Sequence, residues 1–287
     1  MSTTEAIPDF VVTVLCAVSF IINGTFLIVI CKNWTLLKRR RITYHVTSLA
    51  ISDYLVGARG FCIWSIKLAT GKTTSRLSSV FRIILGMAFL ISLLAVCLMA
   101  IERSLCIKKP LTWNKILPLK RILKIMAVNW VFSPALVILM HFYTSEVSII
   151  LAVLFCIPIF VTAFVFINLY INFSKSNDVH DETQQSSSIG ERKKKLVEQK
   201  VTNLVLILTL VLVITIGPAL LANVIYESCT LLNCKFIGTM TTLAAYSLIL
   251  LTLNFIVNPI LYGWRISLYR QAFWKMLGRG TLLFESS

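Results

Sequence analysis

Asp53 is the residue with the sharpest chemistry in this sequence. It stands in the middle of a long apolar run, where an ionised carboxylate is costly and needs polar company. Ser92, Asn254 and Asn258 fall at matching depth in two other apolar runs and are the natural company. A carboxylate with several oxygen donors suits a small hard cation, and a protonated Asp in a structural polar cluster fits the same residues. Glu102 and Arg103 sit side by side at the end of an apolar run, and Glu198 begins another. Catalytic constellations are missing. His45, His141 and His180 pair with no other His or Cys at metal-ligand spacing, and no glycine loop is built to cradle phosphate.

The elements that must position these residues follow from composition. Of 287 residues, 57% are apolar and 14% charged, against about 45–50% and 25% in soluble domains. Too few charges exist to cover a soluble surface of this size. Seven apolar blocks each reach the roughly 20 residues that cross a bilayer. They run over about 10–31, 46–69, 77–106, 122–142, 147–173, 201–226 and 236–264. Backbone groups in lipid need internal partners, so each block is expected to be a helix. After them, residues 266–277 place Leu268, Tyr269, Ala272, Phe273 and Met276 on one face, as an amphipathic helix on a membrane surface would. The expected fold is all-α: one seven-transmembrane helix bundle with a C-terminal amphipathic helix.

The net charge of +16 is unevenly placed. All but six of the 28 Lys and Arg lie on one side of the spans, the six being Arg59, Lys67, Lys72, Arg76, Arg82 and Lys235. The positive-inside rule makes the crowded side cytoplasmic, with the N-terminus extracellular. Contact with anionic headgroups accounts for the charge better than nucleic acid does, because no basic face with interleaved aromatics appears. The longest connection, from Ser174 to about Leu196, reads as a flexible cytoplasmic loop. Arg59 and Arg82 read as cations near the outer helix ends, free either to meet an anionic ligand or to snorkel to headgroups. Cys229 and Cys234 share an outer loop, where their spacing allows either a small disulfide or two free thiols.

In order along the chain, the spans carry Asn23, Leu49-Ala50-Ile51-Ser52-Asp53, Glu102-Arg103-Ser104, Trp130, Pro158, Pro218 and Asn258-Pro259-Ile260-Leu261-Tyr262. This set resembles the rhodopsin-like G-protein-coupled receptors, from about Phe10 to Leu277. The resemblance implies an Arg103–Glu198 ion pair clamping two helix ends. It also implies kink pivots at Pro218 and Pro259, and a Tyr262 that swings inward on activation. Asp53, Ser92, Asn254 and Asn258 resemble that family's sodium site, so an allosteric sodium ion is the one cofactor expected. Expected partners are the bilayer, a heterotrimeric G protein at the basic side, an extracellular ligand and arrestin. Sites for arrestin-directed phosphorylation are few, namely Ser186 to Ser188, Thr281, Ser286 and Ser287. The expected location is the plasma membrane.

Departures from the family pattern are equally specific. Ser78 stands at the usual outer Cys, Leu85 at the amine-binding Asp, and Ile216 at the sixth-span Trp. Phe166 and Ser104 replace two Tyr. The seventh span has no Lys for a retinal Schiff base. Ligand contacts are therefore sought among Arg59, Arg82, Leu85, Glu146, Asn223, Tyr226 and Tyr246, with neither a monoamine nor retinal expected. The missing outer disulfide and short second outer loop loosely resemble the melanocortin and cannabinoid receptors, and Asn223 the adenosine receptors. A transporter or channel, or a receptor-like scaffold without coupling, is the alternative. The absence of internal repeats weighs against the transporter.

Overall fold

A computed structural model describes residues 3–71, 75–142, 160–161, 163–171, 189–231 and 237–278. The chain is an all-helical membrane bundle. We number its helices α1 (Thr3–Lys32), α2 (Trp34–Leu37), α3 (Ile42–Thr70), α4 (Ser75–Lys108), α5 (Trp113–Ile116), α6 (Leu119–Phe142), α7 (163–171), α8 (Ile189–Leu231), α9 (Ile237–Arg265) and α10 (Ser267–Met276). Among the described residues, six helices are long and apolar enough to cross a membrane: α1, α3, α4, α6, α8 and α9. The fifth expected span is described only over its last part, which is helical. Phe10, Ile21, Val128, Val131, Phe164 and Trp264 point outward and exposed, as a lipid-facing belt requires.

Several helices run beyond their apolar blocks, because a helix does not stop where the hydrocarbon does. The largest difference is α8. Part of the expected flexible loop, residues 189–196, is its first two turns. The reason is local: Glu, Arg, Lys, Leu and Gln are strong helix formers, and from Glu191 the chain continues into the apolar span without Gly or Pro until Gly217. Residues 174–188 of that loop lie outside the described residues.

Most threonine hydroxyls inside the spans are satisfied by their own helix. Thr13, Thr25, Thr47, Thr209, Thr215 and Thr252 each donate to the carbonyl four residues back, at 2.7–2.8 Å. The end of α3 is set by Gly71, whose φ of 68° is left-handed and whose N–H bonds Lys67 O at 2.8 Å.

The closest helix packing joins α1 to α3. A Cβ on Gly57 would lie 2.5 Å from Phe20 N, so only glycine lets the two backbones meet there. Phe20 packs on Tyr54 at 4.9 Å, and Lys67 Nζ bonds Asp9 Oδ2 at 2.6 Å about 15 Å further along the two helices. Helix α4 lies against α3, α6 and α8, while α9 closes the bundle between α1 and α8. Helix α10 turns back beneath α1. Its buried Tyr269 donates to Thr43 Oγ1 at 3.1 Å, and Asn33 holds Ala272 O at 3.3 Å. Phe26 packs on both Tyr262 and Tyr269, joining α10 to α9.

Candidate functional site

Two polar clusters stand out in an otherwise apolar interior. The first surrounds Asp53, which is fully buried on α3. Asn258 Nδ2 donates to its Oδ2 at 3.0 Å from α9. On the other side, Ser52 Oγ and Ser92 Oγ stand 3.4 and 3.5 Å from Oδ1, and 3.4 Å from each other. These hydroxyls are further off than the roughly 2.7–2.8 Å of a tight O–H···O bond. The arrangement is therefore loose on one side and firm on the other.

Two of the three expected partners, Ser92 and Asn258, meet the Asp53 carboxylate. Asn254 does not. It is buried one turn away on α9, and neither its Oδ1 nor its Nδ2 has a protein partner among the described residues. Asn23 Oδ1 and the Tyr262 hydroxyl are likewise buried and without one. Asn23 Nδ2 instead holds Phe255 O at 2.9 Å and Ser19 O at 3.0 Å, tying α1 to α9. Ser52, adjacent in sequence, was not among the expected donors. Oxygen and amide groups around one carboxylate form a hard donor set, and the unpartnered Asn254 amide adds acceptor capacity close by.

The second cluster lies at the basic end of the bundle. Arg103 on α4 bonds Glu198 on α8 through Nη1 at 2.5 Å, and Glu102 through Nη2 at 3.3 Å. The Arg103 side chain is 8% exposed and that of Glu198 39%. Glu102 is buried and also takes His45 Nε2 at 3.1 Å, with Arg41 Nη1 at 3.8 Å. Arg41 is itself fixed by Leu117 O at 2.8 Å and Asn114 Oδ1 at 2.6 Å. Its guanidinium lies 4.5 Å over the Trp113 ring, with that of Arg103 at 5.9 Å from the same ring. Two Arg face two Glu, so the cluster balances when His45 is neutral. His45 Nδ1 is buried without a partner, which suits a neutral ring whose Nε2–H donates to Glu102.

His45 was not among the expected switch residues, but α3 begins at Ile42 and carries its side chain into the interior, 0% exposed. The signal was a helix start four residues before the apolar block. Trp113 was missed because a four-residue helix in a loop leaves no periodic trace.

Of the expected switch residues, Tyr262 is buried against Phe26. Pro218 and Pro259 lie within α8 and α9, which continue as helices through both positions. Among the expected ligand contacts, Leu85 packs at the edge of the core and Tyr246 is exposed. Arg59 is not near a helix end: α3 continues for about three turns beyond it. Glu146 and Cys234 lie outside the described residues, so the Cys229–Cys234 bridge does too. The side chains of Arg82, Asn223 and Tyr226 also fall outside what is described.

Two family models match the chain. Residues 22–149 match the model of the 7 transmembrane receptor (rhodopsin family). Residues 135–280, half of the chain, match that of the serpentine type 7TM GPCR chemoreceptor Srw. Among curated proteins none matches. The two matches overlap and together span both polar clusters, and neither selects the melanocortin, cannabinoid or adenosine branch. The chain therefore belongs to the rhodopsin-like seven-transmembrane receptors, its second half carrying the serpentine chemoreceptor pattern.

Proposed function

We propose that this receptor is turned on by an extracellular ligand and activates a heterotrimeric G protein at its basic end. The observation that carries the reading is the Arg103–Glu198 pair, which joins α4 to α8 where a cytoplasmic partner would dock. A bond between two helix ends biases a two-state equilibrium only if it is made in one state and broken in the other. Helix α8 is held here by packing on α9 and α4 and, at its basic end, by this pair, so parting the pair removes the polar tie there. The N-terminus is outside in this reading, on the strength of the charge asymmetry. The chemoreceptor description of the second matching family supports a diffusible chemical as the ligand.

The Tyr262 hydroxyl supports the same two-state picture. A buried hydroxyl without a protein partner is costly, by about 1–3 kcal/mol. A second state in which Tyr262 finds a partner recovers that cost. Around Asp53, the hard donor set supports a sodium ion held by Asp53, Ser52 and Ser92, with Asn254 near. Such an ion supplies positive charge that favours the packed arrangement of α3, α4 and α9. Nucleotide exchange by a purified G protein, measured on membranes without added ligand, tests the reading. In this reading Arg103, once parted from Glu198, meets the G protein, so exchange that is present with the wild-type chain and lost in Arg103→Ala supports coupling. Equal exchange in both counts against it.

A further inference from the structure

A cavity of about 500 Å³ opens on the outside of the bundle, between α3, α4 and α6. That is within the size range of small-molecule sites. Leu55 and Ala58 form one wall, Ile84, Met87 and Ile91 the other, and Trp130 the back. Leu55 is 45% exposed at the rim, so the cavity faces the surrounding lipid. The wall is almost wholly apolar. Trp130 Nε1–H donates to Ser48 Oγ at 2.8 Å, and the Ser52 hydroxyl donates to Leu49 O at 2.8 Å. Both polar groups are thus engaged elsewhere.

Arg59 is the exception. It lines the cavity, and its Nε is buried with no hydrogen-bond partner. Among the described residues it forms no ion pair, and the nearest carboxylate on its own helix, Asp53, lies about 9 Å further down the axis. Arg59 stands three residues, about 4.5 Å, from the midpoint of the 29-residue α3, so about 10 Å of a roughly 30 Å hydrocarbon layer centred on the helix separates it from the headgroups. Arginine does not shed its proton in proteins. A lasting cation at this depth therefore calls for an anion or water.

We propose that this cavity binds a single-chain amphiphile with an anionic head, the head on Arg59 and the chain along Leu55, Met87 and Trp130. Lipid tails already solvate an apolar groove, so chain burial alone gives little preference over the bilayer. The preference comes from the head, because an anion–guanidinium pair is stronger in this medium than in water. Carboxylate and phosphate heads share that chemistry. The site lies outside the helix bundle and does not depend on coupling to a G protein.

The test uses the full chain in nanodiscs of phosphatidylcholine. Three photoactivatable probes of equal chain length are cross-linked and mapped by mass spectrometry: a diazirine-bearing fatty acid, a lysophosphatidic acid and a fatty alcohol. The acids should label peptides containing residues 55–62, 84–91 or Trp130, at least tenfold more than the alcohol does. Labelling by one acid alone identifies the head and still supports the site. Arg59→Gln should lose that labelling about tenfold, Arg59→Lys should keep most of it, and Ala58→Trp should block it by filling the cavity. Equal labelling by the alcohol, or by acids at other faces only, overturns the proposal. Should Arg59→Gln fail to fold, the probe comparison on the wild-type chain and the Ala58→Trp variant decide it alone.

Discussion

Replacing Glu198 by Ala removes the α8 half of the ion pair with Arg103 and should raise ligand-free signalling. The size of the effect follows from the surroundings of the two groups. Breaking a fully buried pair costs about 3–5 kcal/mol, and an exposed pair is worth about 0.2–1 kcal/mol. Arg103 is 8% exposed and Glu198 39%, so screening reduces the Glu198 side substantially. Arg103 also keeps Glu102 at 3.3 Å, and so is not left unpaired. The loss should therefore fall near the low end, about 1–2 kcal/mol, which is a factor of about 5–30 in the equilibrium between states. A receptor active about 1% of the time without ligand would rise to between about 5% and 25%. The assay is nucleotide exchange at matched surface expression, with Lys200→Ala as a control at an exposed site on the same helix. Basal exchange within twofold of wild type would refute the reasoning, and so would an equal rise in the Lys200 control.

Further outcomes are expected elsewhere. His45→Phe removes the Nε2–H bond to Glu102 and should raise basal exchange less than Glu198→Ala does, since Glu102 keeps Arg103 and Arg41; a fall in basal exchange would contradict this. Gly57→Val forces α1 and α3 apart and should destabilise by at least the roughly 1–3 kcal/mol of overpacking, read as a lower melting temperature in detergent; unchanged melting would show that the close approach is dispensable. Tyr262→Phe removes a hydroxyl without a protein partner in this state, and should leave thermal stability unchanged or higher while reducing ligand-driven exchange. Asp53→Asn should abolish any difference in melting temperature between sodium and choline buffers, and a sodium effect that survives would place the ion elsewhere.

Hydropathy alone located the six spans found among the described residues, because bilayer thickness imposes a length on any helix that crosses it. The ordered motifs led to Asp53, Ser92 and Asn258, and to the Arg103–Glu198 pair. Depth along a helix is legible in sequence only to about one turn. Asn254 and Asn258 share a face one turn apart, about 6 Å, so the donors at the Asp53 carboxylate come from only one of them. Ser52 escaped notice because adjacent residues on a helix normally point apart. His45 and Trp113 could not be read from periodicity, since one lies before its apolar block and the other in a single turn of loop helix.

The length of α8 has a mechanical consequence. Its 43 residues make a rod of about 65 Å, more than twice the hydrocarbon thickness. Pro218 lies twenty residues from Glu198, or about 30 Å along the axis. A bend of about 20° there, the threshold for a sharp kink, would carry Glu198 sideways by about 10 Å and the start of the helix by about 15 Å. The same lever works in reverse. A bond at the far end of a long arm resists bending with the full leverage of that arm, so a single modest ion pair suffices as a latch. Sub-ångström rearrangements near Pro218 would thus be amplified into a displacement large enough to open a docking cleft.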